Sequence, residues 1–344
     1  MEQRKRFEET PLAILDLVTY PEGGDLQEAF RASRQLARHA EMLGYRRYWI
    51  AEHHNLEGIA SAATVVLMGY IAGSTATIRV GSGGIMLPNH APFIVAEQIG
   101  TLEAMYPGRI DLGLGRAPGT DPLTMRALRR HSTGADFDQE IDELLSYLAP
   151  ARPDQRVKAI PGAGTDVPVW ILGSSLYSAH LAAKIGRPYA FASHFAPVEL
   201  LDALEIYRAE FKPSKALAAP QVMVGVPVVA AGSDDEAEHL ATSMYLRTLG
   251  IVRGQRAALQ PPVKSMEGLW SHAVRLAIAE RMALMVVGGP ERVRAGLQQI
   301  IDVTQADELI LVSETYDRAA RLASFGIIAD LQRHAGGAHA ADAQ

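Results

Sequence analysis

Residues 78–115, with the sequence IRVGSGGIMLPNHAPFIVAEQIGTLEAMYPGRIDLGLG, contain a complete strand–helix–strand unit. Ile78–Leu87 and Ile110–Gly115 are runs of apolar and small residues, as expected of parallel strands that are covered on both faces. Pro92–Met105 lies between them and is long enough for a helix. The stretch therefore predicts two parallel strands joined by a helical crossover.

The same alternation continues along the chain in both directions. Toward the amino terminus, Asp25 and Glu28 have the spacing of a helix capping box, and a helical stripe of apolar residues follows as far as Gly44. Six further strands are predicted from apolar runs at Ala13–Val18, Arg47–Ala51, Val169–Leu172, Tyr189–Ala192, Val222–Ala230 and Glu308–Val312. Eight strands separated by helices predict an α/β fold, a closed (β/α)₈ or TIM barrel.

A doubly wound open sheet is the alternative fold. It is disfavoured because no G-x-G-x-x-G motif opens a helix after an early strand, and GLGRAPG at 113–119 has a different spacing. We predict a single barrel domain over 1–335, with excursions at the carboxyl-terminal face of the strands at about 117–166 and 250–285. Residues 336–344 are expected to form a flexible tail.

Composition limits the kind of partner and the compartment. The chain has 344 residues, a net charge of −6 and no cysteine. Disulfides, thiolate metal sites and a cysteine nucleophile are thereby excluded, and an acidic balance disfavours nucleic acid or an anionic membrane as partner. The amino-terminal MEQRKRFEET lacks the apolar segment of a secretory signal, and no run reaches the roughly 18 apolar residues of a membrane span. These features predict a cytoplasmic protein.

Functional residues of such barrels lie at the carboxyl ends of the strands. The second predicted strand ends in Glu52, His53 and His54. Neighbouring strand residues point to opposite faces, so His53 and His54 are poorly placed to chelate one ion, and we predict no metal site. A single imidazole, His53, is the more economical candidate for an acid, a base or a stabiliser of charge. Solvated side chains at a strand end are the alternative.

Three further strand ends carry residues that could hold a cofactor. Gly83 and Gly84 would let a flat aromatic group approach the backbone, or they mark a β-bulge. Arg116 follows the fourth strand and could bind a phosphate. Serine hydroxyls at a helix amino terminus after the fifth strand, those of Ser174, Ser175 and Ser178, make an anion site, although one of them could be only a helix cap. Arg116 and this turn follow neighbouring strands, which favours one shared phosphate.

Together these residues resemble the luciferase-like monooxygenases. The similarity lies in RYWIAEHHN (47–55), in the long block from Arg79 to Asp121, and in PVWILGSSLYSAHLAAKIGRPYAFASHF (168–195). The resemblance implies a barrel that binds FMN, reduced by a separate flavin reductase. Oxygen would add at the flavin C4a position, and the resulting hydroperoxide would oxygenate a small organic substrate.

The resemblance also implies roles for single residues. His53 matches the histidine needed for activity, and the Gly83–Gly84 pair matches a non-proline cis peptide beneath the flavin ring. Arg116 and the turn with Ser174, Ser175 and Ser178 match the phosphate site. The luciferases have a reactive cysteine where this chain has Gly115, an acidic residue where it has Ser174, and a long mobile loop that this sequence lacks, so we do not expect light emission.

Other functions stay open from the sequence. Relatives of this barrel also bind the deazaflavin F420 and transfer hydride, and some are non-catalytic flavin-binding proteins. A metal hydrolase is a more distant alternative. Met266 and Leu269 in the second excursion suggest an apolar substrate, although methionine often serves only packing. The resemblance favours a homodimer.

Overall fold

A computed structural model describes residues 4–117, 119–128, 136–255 and 258–341. Its strands are β1 (Leu12–Asp16), β2 (Arg47–Ile50), β3 (Arg79–Ser82), β4 (Ile85–Met86), β5 (Ile110–Gly115), β6 (Val169–Gly173), β7 (Tyr189–Phe191), β8 (Val222–Ala230), β9 (Val286–Gly288) and β10 (Glu308–Val312). Eight of them pair in parallel in the order β10-β1-β2-β3-β5-β6-β7-β8, and β10 also pairs with β8. The sheet is therefore closed, and the predicted (β/α)₈ barrel is confirmed.

Helices cover the outside of this ring. They are α1 (Leu26–Leu43), α2 (Thr64–Ala72), α3 (Pro92–Met105), α4 (Pro122–Ala127), α5 (Phe137–Leu148), α6 (Leu176–Ile185), α7 (Leu200–Glu210), α8 (Asp234–Val252), α9 (His272–Arg281), α10 (Pro290–Thr304) and α11 (Arg318–Ala341). The ends of α1 follow from its sequence. Asp25 accepts a hydrogen bond from the Gln27 N–H, and Gly44 takes a left-handed conformation with φ of 86° that ends the helix.

The structure differs from the predicted elements in four places. The third predicted strand is divided into β3 and β4, with Gly83 and Gly84 between them. Helix α5, predicted as part of an excursion, packs against α3 and belongs to the outer layer. Helices α4, α7 and α8 and the short strand β9 were not predicted, and β9 pairs only with the last three residues of β8. Helix α11 continues to Ala341, into the segment predicted as a flexible tail.

Two apolar cores lie on the two sides of the barrel wall. The larger packs the outer faces of the strands against the helices, as Ile14, Ile99 and Leu311 illustrate. The smaller fills the barrel interior around the ring contact of Trp49 with Trp170. A filled interior closes the barrel from within, so the mouth at the carboxyl ends of the strands is the place left for chemistry.

A buried ion cluster closes the opposite, amino-terminal end. Arg47 at the start of β2 donates to Asp111 of β5 at 2.7 Å and to Glu308 of β10 at 2.9 Å. Arg79 of β3 donates to the second oxygen of Asp111, also at 2.7 Å. The Arg47 guanidinium also lies 5.0 Å from the ring centre of Trp170 on β6. One arginine thus links strands from both sides of the ring.

Replacement of Arg47 by Met is expected to lower the free energy of unfolding by about 3–5 kcal/mol, because two buried carboxylates each lose their buried hydrogen-bond donor. Arg46 is the matched control. It is 48% exposed and lies 3.9 Å from the same Glu308 carboxylate, so Arg46→Met should cost less than about 1 kcal/mol. Urea unfolding of both variants measures the difference. Equal losses would contradict the role assigned to Arg47.

Candidate functional site

The predicted site residues all lie at the carboxyl-terminal mouth of the barrel. His53 follows β2, the pair Gly83–Gly84 separates β3 from β4, and Arg116 follows β5. Ser174 and Ser175 form the turn between β6 and α6. Because all the barrel strands are parallel, these residues share one end of the ring. Barrel topology therefore brings together groups that are far apart in sequence.

Glu52 organises the end of β2. Its buried carboxylate accepts hydrogen bonds from His54 Nε2 at 2.8 Å, from His90 Nε2 at 2.9 Å and from the Met86 N–H at 3.1 Å. Burial alone would raise the pKa of Glu52, but the hydrogen bonds from His54 and His90 outweigh it and lower the pKa to about 2. The carboxylate therefore stays ionised and fixes two histidines and a strand.

The same three side chains have the spacing of a metal site. Candidate ligand atoms of Glu52, His54 and His90 lie within 4.8 Å of one another. His90, which comes from the segment after β4, was not among the predicted site residues, because it lies 36 residues from His54 in the sequence. Since the Glu52 oxygens are already occupied by hydrogen bonds, we assign the group a positioning role.

His53, the next residue along the chain after Glu52, is half-buried. Burial lowers its pKa to about 4, and the positive charge of Arg247 acts in the same direction, while a hydrogen bond to the backbone of Gly119 opposes them. The imidazole is therefore neutral at pH 7, and it can accept or donate a proton without first losing a charge.

His194, which follows β7, is a second histidine at the mouth and was not predicted. Burial and the nearby His53 lower its pKa to about 3. Its Nδ1 is buried and has no hydrogen-bond partner among the described residues. A Cβ atom at position 225 would come within 2.6 Å of this nitrogen, so Gly225 of β8 makes the room for the ring. Only its place after a strand could have indicated His194.

The predicted phosphate groups lie beside one another. Arg116 is exposed, and its guanidinium carbon is 4.1 Å from the ring centre of Tyr177 near the start of α6. Tyr177 in turn donates to Asp138 of α5. Ser175 is the residue before α6, and its side chain makes no capping bond. Arg116 and the amino end of α6 thus face the same space.

Ser178 differs from its predicted part in the phosphate site. It is buried, and its hydroxyl donates to the Ser175 carbonyl at 2.8 Å and is 3.0 Å from the Tyr189 hydroxyl. A side chain at position 173 would collide with Ser178, which requires Gly173 there. Ser178 therefore shapes the turn from behind, and Ser174 and Ser175 stay the predicted candidates for contact with a phosphate.

An acidic side chain reaches the same helix end. Glu199 accepts a hydrogen bond from the N–H of Leu176, the first residue of α6, at 3.1 Å. A carboxylate occupying a helix amino terminus is favoured by the helix dipole, and it takes the place that another anion would use. No local sequence pattern indicated this contact, because Glu199 lies at the start of a helix that was not predicted.

Gly83 and Gly84 are tightly enclosed on the protein side. The peptide bond between them is cis, as the family resemblance implies. A Cβ atom would come within 2.5 Å of Leu15 at position 83 and within 2.8 Å of the Gly113 carbonyl at position 84. Packing beneath the strand therefore requires both glycines, and their contact with a cofactor stays a prediction.

The second excursion does not support the predicted apolar substrate. Met266 is buried in a small cluster with Leu249 of α8 and Ile278 of α9, so it serves packing between these helices. Leu269 is 40% exposed. The apolar surface nearest the mouth belongs instead to the barrel interior, where Leu17 and Ile59 are buried and Leu56 packs against them.

Comparisons with known proteins identify relatives along nearly the whole chain. The sequence model of a family described as luciferase-like monooxygenase matches residues 11–305. An Escherichia coli (strain K12) luciferase-like monooxygenase is 49% identical over 93% of this chain and 96% of its own. The Bacillus subtilis protein YvbT is 53% identical over 96% and 98%. An N-acetyl-S-alkylcysteine monooxygenase of B. subtilis is 40% identical over 53% and 56%.

Solved structures share the architecture. Apo-MsnO8 superposes with a TM-score of 0.84 and 33% identity, covering 95% of this chain and 99% of its own. At 18% identity, an FMN complex of the oxygenating constituent of a Pseudomonas putida 3,6-diketocamphane monooxygenase has a TM-score of 0.69 over 93% and 97%. An F420-dependent secondary alcohol dehydrogenase is 15% identical and has a TM-score of 0.64, covering 94% of this chain and 99% of its own. Within the described ranges, no helix has the length and apolar character of a membrane span.

The depressed histidine pKa values predict how stability depends on pH. The pKa of His194 falls from 6.5 in a solvated side chain to about 3 in the folded protein. The unfolded chain binds this proton more readily than the folded protein does. The protein is therefore at its full stability with respect to His194 above pH 6.5, and it loses stability as the pH falls toward 3. His194→Gln should therefore make stability less dependent on pH.

Urea unfolding at pH 7.5, 6 and 5 tests this expectation. Wild type should lose more stability than His194→Gln between the first and last pH. His272, exposed on α9, provides the control, and His272→Gln should follow the wild-type profile. Parallel profiles for wild type and His194→Gln would show that the His194 proton affinity is the same in both states.

Proposed function

The chain belongs to the luciferase-like monooxygenase family, and on this premise we propose that it is an FMN-dependent monooxygenase. It would use reduced flavin and O₂ to oxygenate a small organic substrate. One observation carries the proposal. Arg116 and the Ser174–Ser175 turn, which could bind a phosphate, share one barrel mouth with the half-buried, neutral imidazole of His53.

The residues present fit an FMN phosphate. Arg116 is exposed and engages only the face of Tyr177 among its described contacts, so its donors can reach an anion. The turn after β6 adds the Ser174 and Ser175 hydroxyls and the dipole of a ten-residue helix. Gly173 and Ser178 hold the turn in place. This combination supports a phosphate-bearing cofactor, which FMN and F420 both are.

Each group of the chain has a distinct part in the proposed reaction. Bound reduced flavin supplies the two electrons with which one atom of O₂ enters the substrate and the other leaves as water. His53 would hold or move a proton in this reaction, since its imidazole is neutral at pH 7. The apolar side chains of Leu17, Leu56 and Ile59 keep water from the reacting atoms.

The remaining parts of the proposal concern partners. We propose a separate flavin reductase as the source of reduced FMN, a cytoplasmic location and a homodimer. Exposed apolar side chains on α2 and α3 support the homodimer, namely Val66, Tyr70, Ile94 and Met105. One relative is named for N-acetyl-S-alkylcysteines, so thioethers belong in a substrate screen.

Flavin affinity tests the phosphate site. Arg116→Ala should weaken FMN binding by about 1.5–3 kcal/mol, the scale of a charge-assisted hydrogen bond. Glu199→Gln should tighten it roughly 2- to 10-fold, because a competing negative charge is removed from the helix end. Flavin fluorescence titrations give both constants. Riboflavin, which lacks the phosphate, is the control, and equal changes for FMN and riboflavin would place the phosphate elsewhere.

Turnover tests the proposed reaction. With a flavin reductase, FMN and O₂, the protein should oxygenate a member of a screen that includes thioethers, ketones and aldehydes. His53→Asn should lower kcat by about 10²–10⁴-fold with FMN affinity retained, the usual effect of losing a positioned acid or base.

His180→Asn, a change at an exposed histidine, should leave kcat unchanged. Preferential binding of F420 over FMN would replace the proposed cofactor. Flavin binding without any turnover, unaffected by His53→Asn, would indicate a non-catalytic flavin-binding relative.

A further inference from the structure

Helix α8 brings an arginine into the mouth from outside the strand series. Arg247 pairs through Nη1 with Glu314, which lies two residues after the end of β10. The two side chains are 11% and 13% exposed. Arg247 is close enough to His53 for its charge to lower the pKa of that imidazole. Through Glu314, this arginine is held at the end of the barrel where the strands end, the same end as the proposed catalytic histidine.

Arg247 makes few interactions for so dry a position. A guanidinium has five N–H donors, and Glu314 is the sole partner found for it in the described part of the chain. Burial lowers the pKa of Arg247 to about 10, so it stays charged at neutral pH. A buried charge with spare donors costs stability unless a further partner completes it.

The neighbouring Arg321 shows the contrast. It comes from α11, is equally buried, and donates to the Ser313 carbonyl at 2.6 Å and to Asp16 at 3.0 Å. Its two hydrogen bonds link α11 to β1 and to the end of β10, and this link explains why a buried arginine is present there. Arg247 has no second protein partner of this kind among the described residues.

Other unpaired polar atoms follow β7 and β10, the two strands that flank β8 in the barrel. His194 Nδ1, after β7, and Ser313 Oγ, after β10, are buried without a hydrogen-bond partner in the described ranges. Buried polar atoms normally find partners, so several at one mouth indicate a ligand with its own hydrogen-bonding groups. His194 Nδ1 and Ser313 Oγ are uncharged, whereas Arg247 is positively charged. The three groups together therefore favour a ligand with a negatively charged hydrogen-bond acceptor.

We propose that Arg247 is the receptor for a carboxylate on the organic substrate, and that Glu314 is the partner it exchanges for that carboxylate. His194 lies on the same side of the mouth and would accept or donate a further hydrogen bond. A planar guanidinium matches a carboxylate with two parallel bonds. The inference rests on the proposed function and narrows it, since it replaces the predicted apolar substrate by an acid with an apolar portion.

Titration with matched acids and amides tests the receptor. The probes are the straight-chain carboxylates from acetate to octanoate and the corresponding primary amides, which have the same shape without the charge. Isothermal titration is carried out with and without bound FMN. At least one carboxylate should bind 10-fold or more tightly than its amide, and Arg247→Gln should abolish this preference.

Variants of the pair distinguish recognition from a purely structural link. Glu314→Gln removes the competing carboxylate and should tighten acid binding several-fold, so the two variants should act in opposite directions. Arg253→Gln, a change at an exposed arginine just after α8, is the control and should have no effect. Arg247→Lys keeps the charge without the planar fork and should bind acids with intermediate affinity, should Arg247→Gln fail to fold.

Three outcomes of these titrations would contradict the carboxylate receptor. Equal affinity for acids and amides, absence of binding by the whole series, or equal losses in Arg247→Gln and Glu314→Gln would each leave the pair as a structural tie of α8 to the barrel. Failure of FMN to bind would count against the proposed function alone, because the acid preference is also measured without flavin.

Discussion

The buried contact of Arg47 with two carboxylates is the constraint on which the architecture depends. Arg47, Asp111 and Glu308 come from β2, β5 and β10. All three are almost wholly buried, so none can exchange its partner for water without a large cost. The cluster thereby fixes how far each strand extends toward the mouth. His53 follows β2 and Arg116 follows β5, two of the strands that the cluster links. The positions of these two residues along the barrel axis therefore follow from the alignment of the strands.

Along the barrel axis, a charged layer at the amino-terminal end is followed by an apolar layer in the interior and by a second polar layer at the mouth. Charged groups lie at the amino-terminal end, Trp49 and Trp170 fill the middle, and histidines and arginines return above Leu17 and Ile59. The apolar layer separates two sets of ionised groups that would otherwise compete for partners. It also gives the mouth a dry floor, which is the reason that His53 is neutral there.

Much of the fold could be predicted because its strands are apolar runs with clear ends. Ile110–Gly115, Val222–Ala230 and Glu308–Val312 have the predicted bounds. Helix α8 was missed because its charged first turn and mixed faces give little periodicity, and β9 because a three-residue strand carries almost no signal. In the site, strand ends indicated His53 and Arg116. The contacts of Glu52 with His90 and of Arg247 with Glu314 join residues far apart in sequence, which no local pattern reports.

The position of Arg247 on α8 has an evolutionary consequence. The groups proposed to hold the cofactor come from strand ends, whose geometry is tied to barrel closure. Arg247 comes from a helix whose amino end is anchored by Asp234 to the N–H of Gly289, far from the Arg47 cluster. Inherited changes along this helix can therefore alter which substrate enters the mouth while the barrel and the proposed cofactor site stay intact. On this arrangement, substrate specificity can evolve separately from cofactor binding.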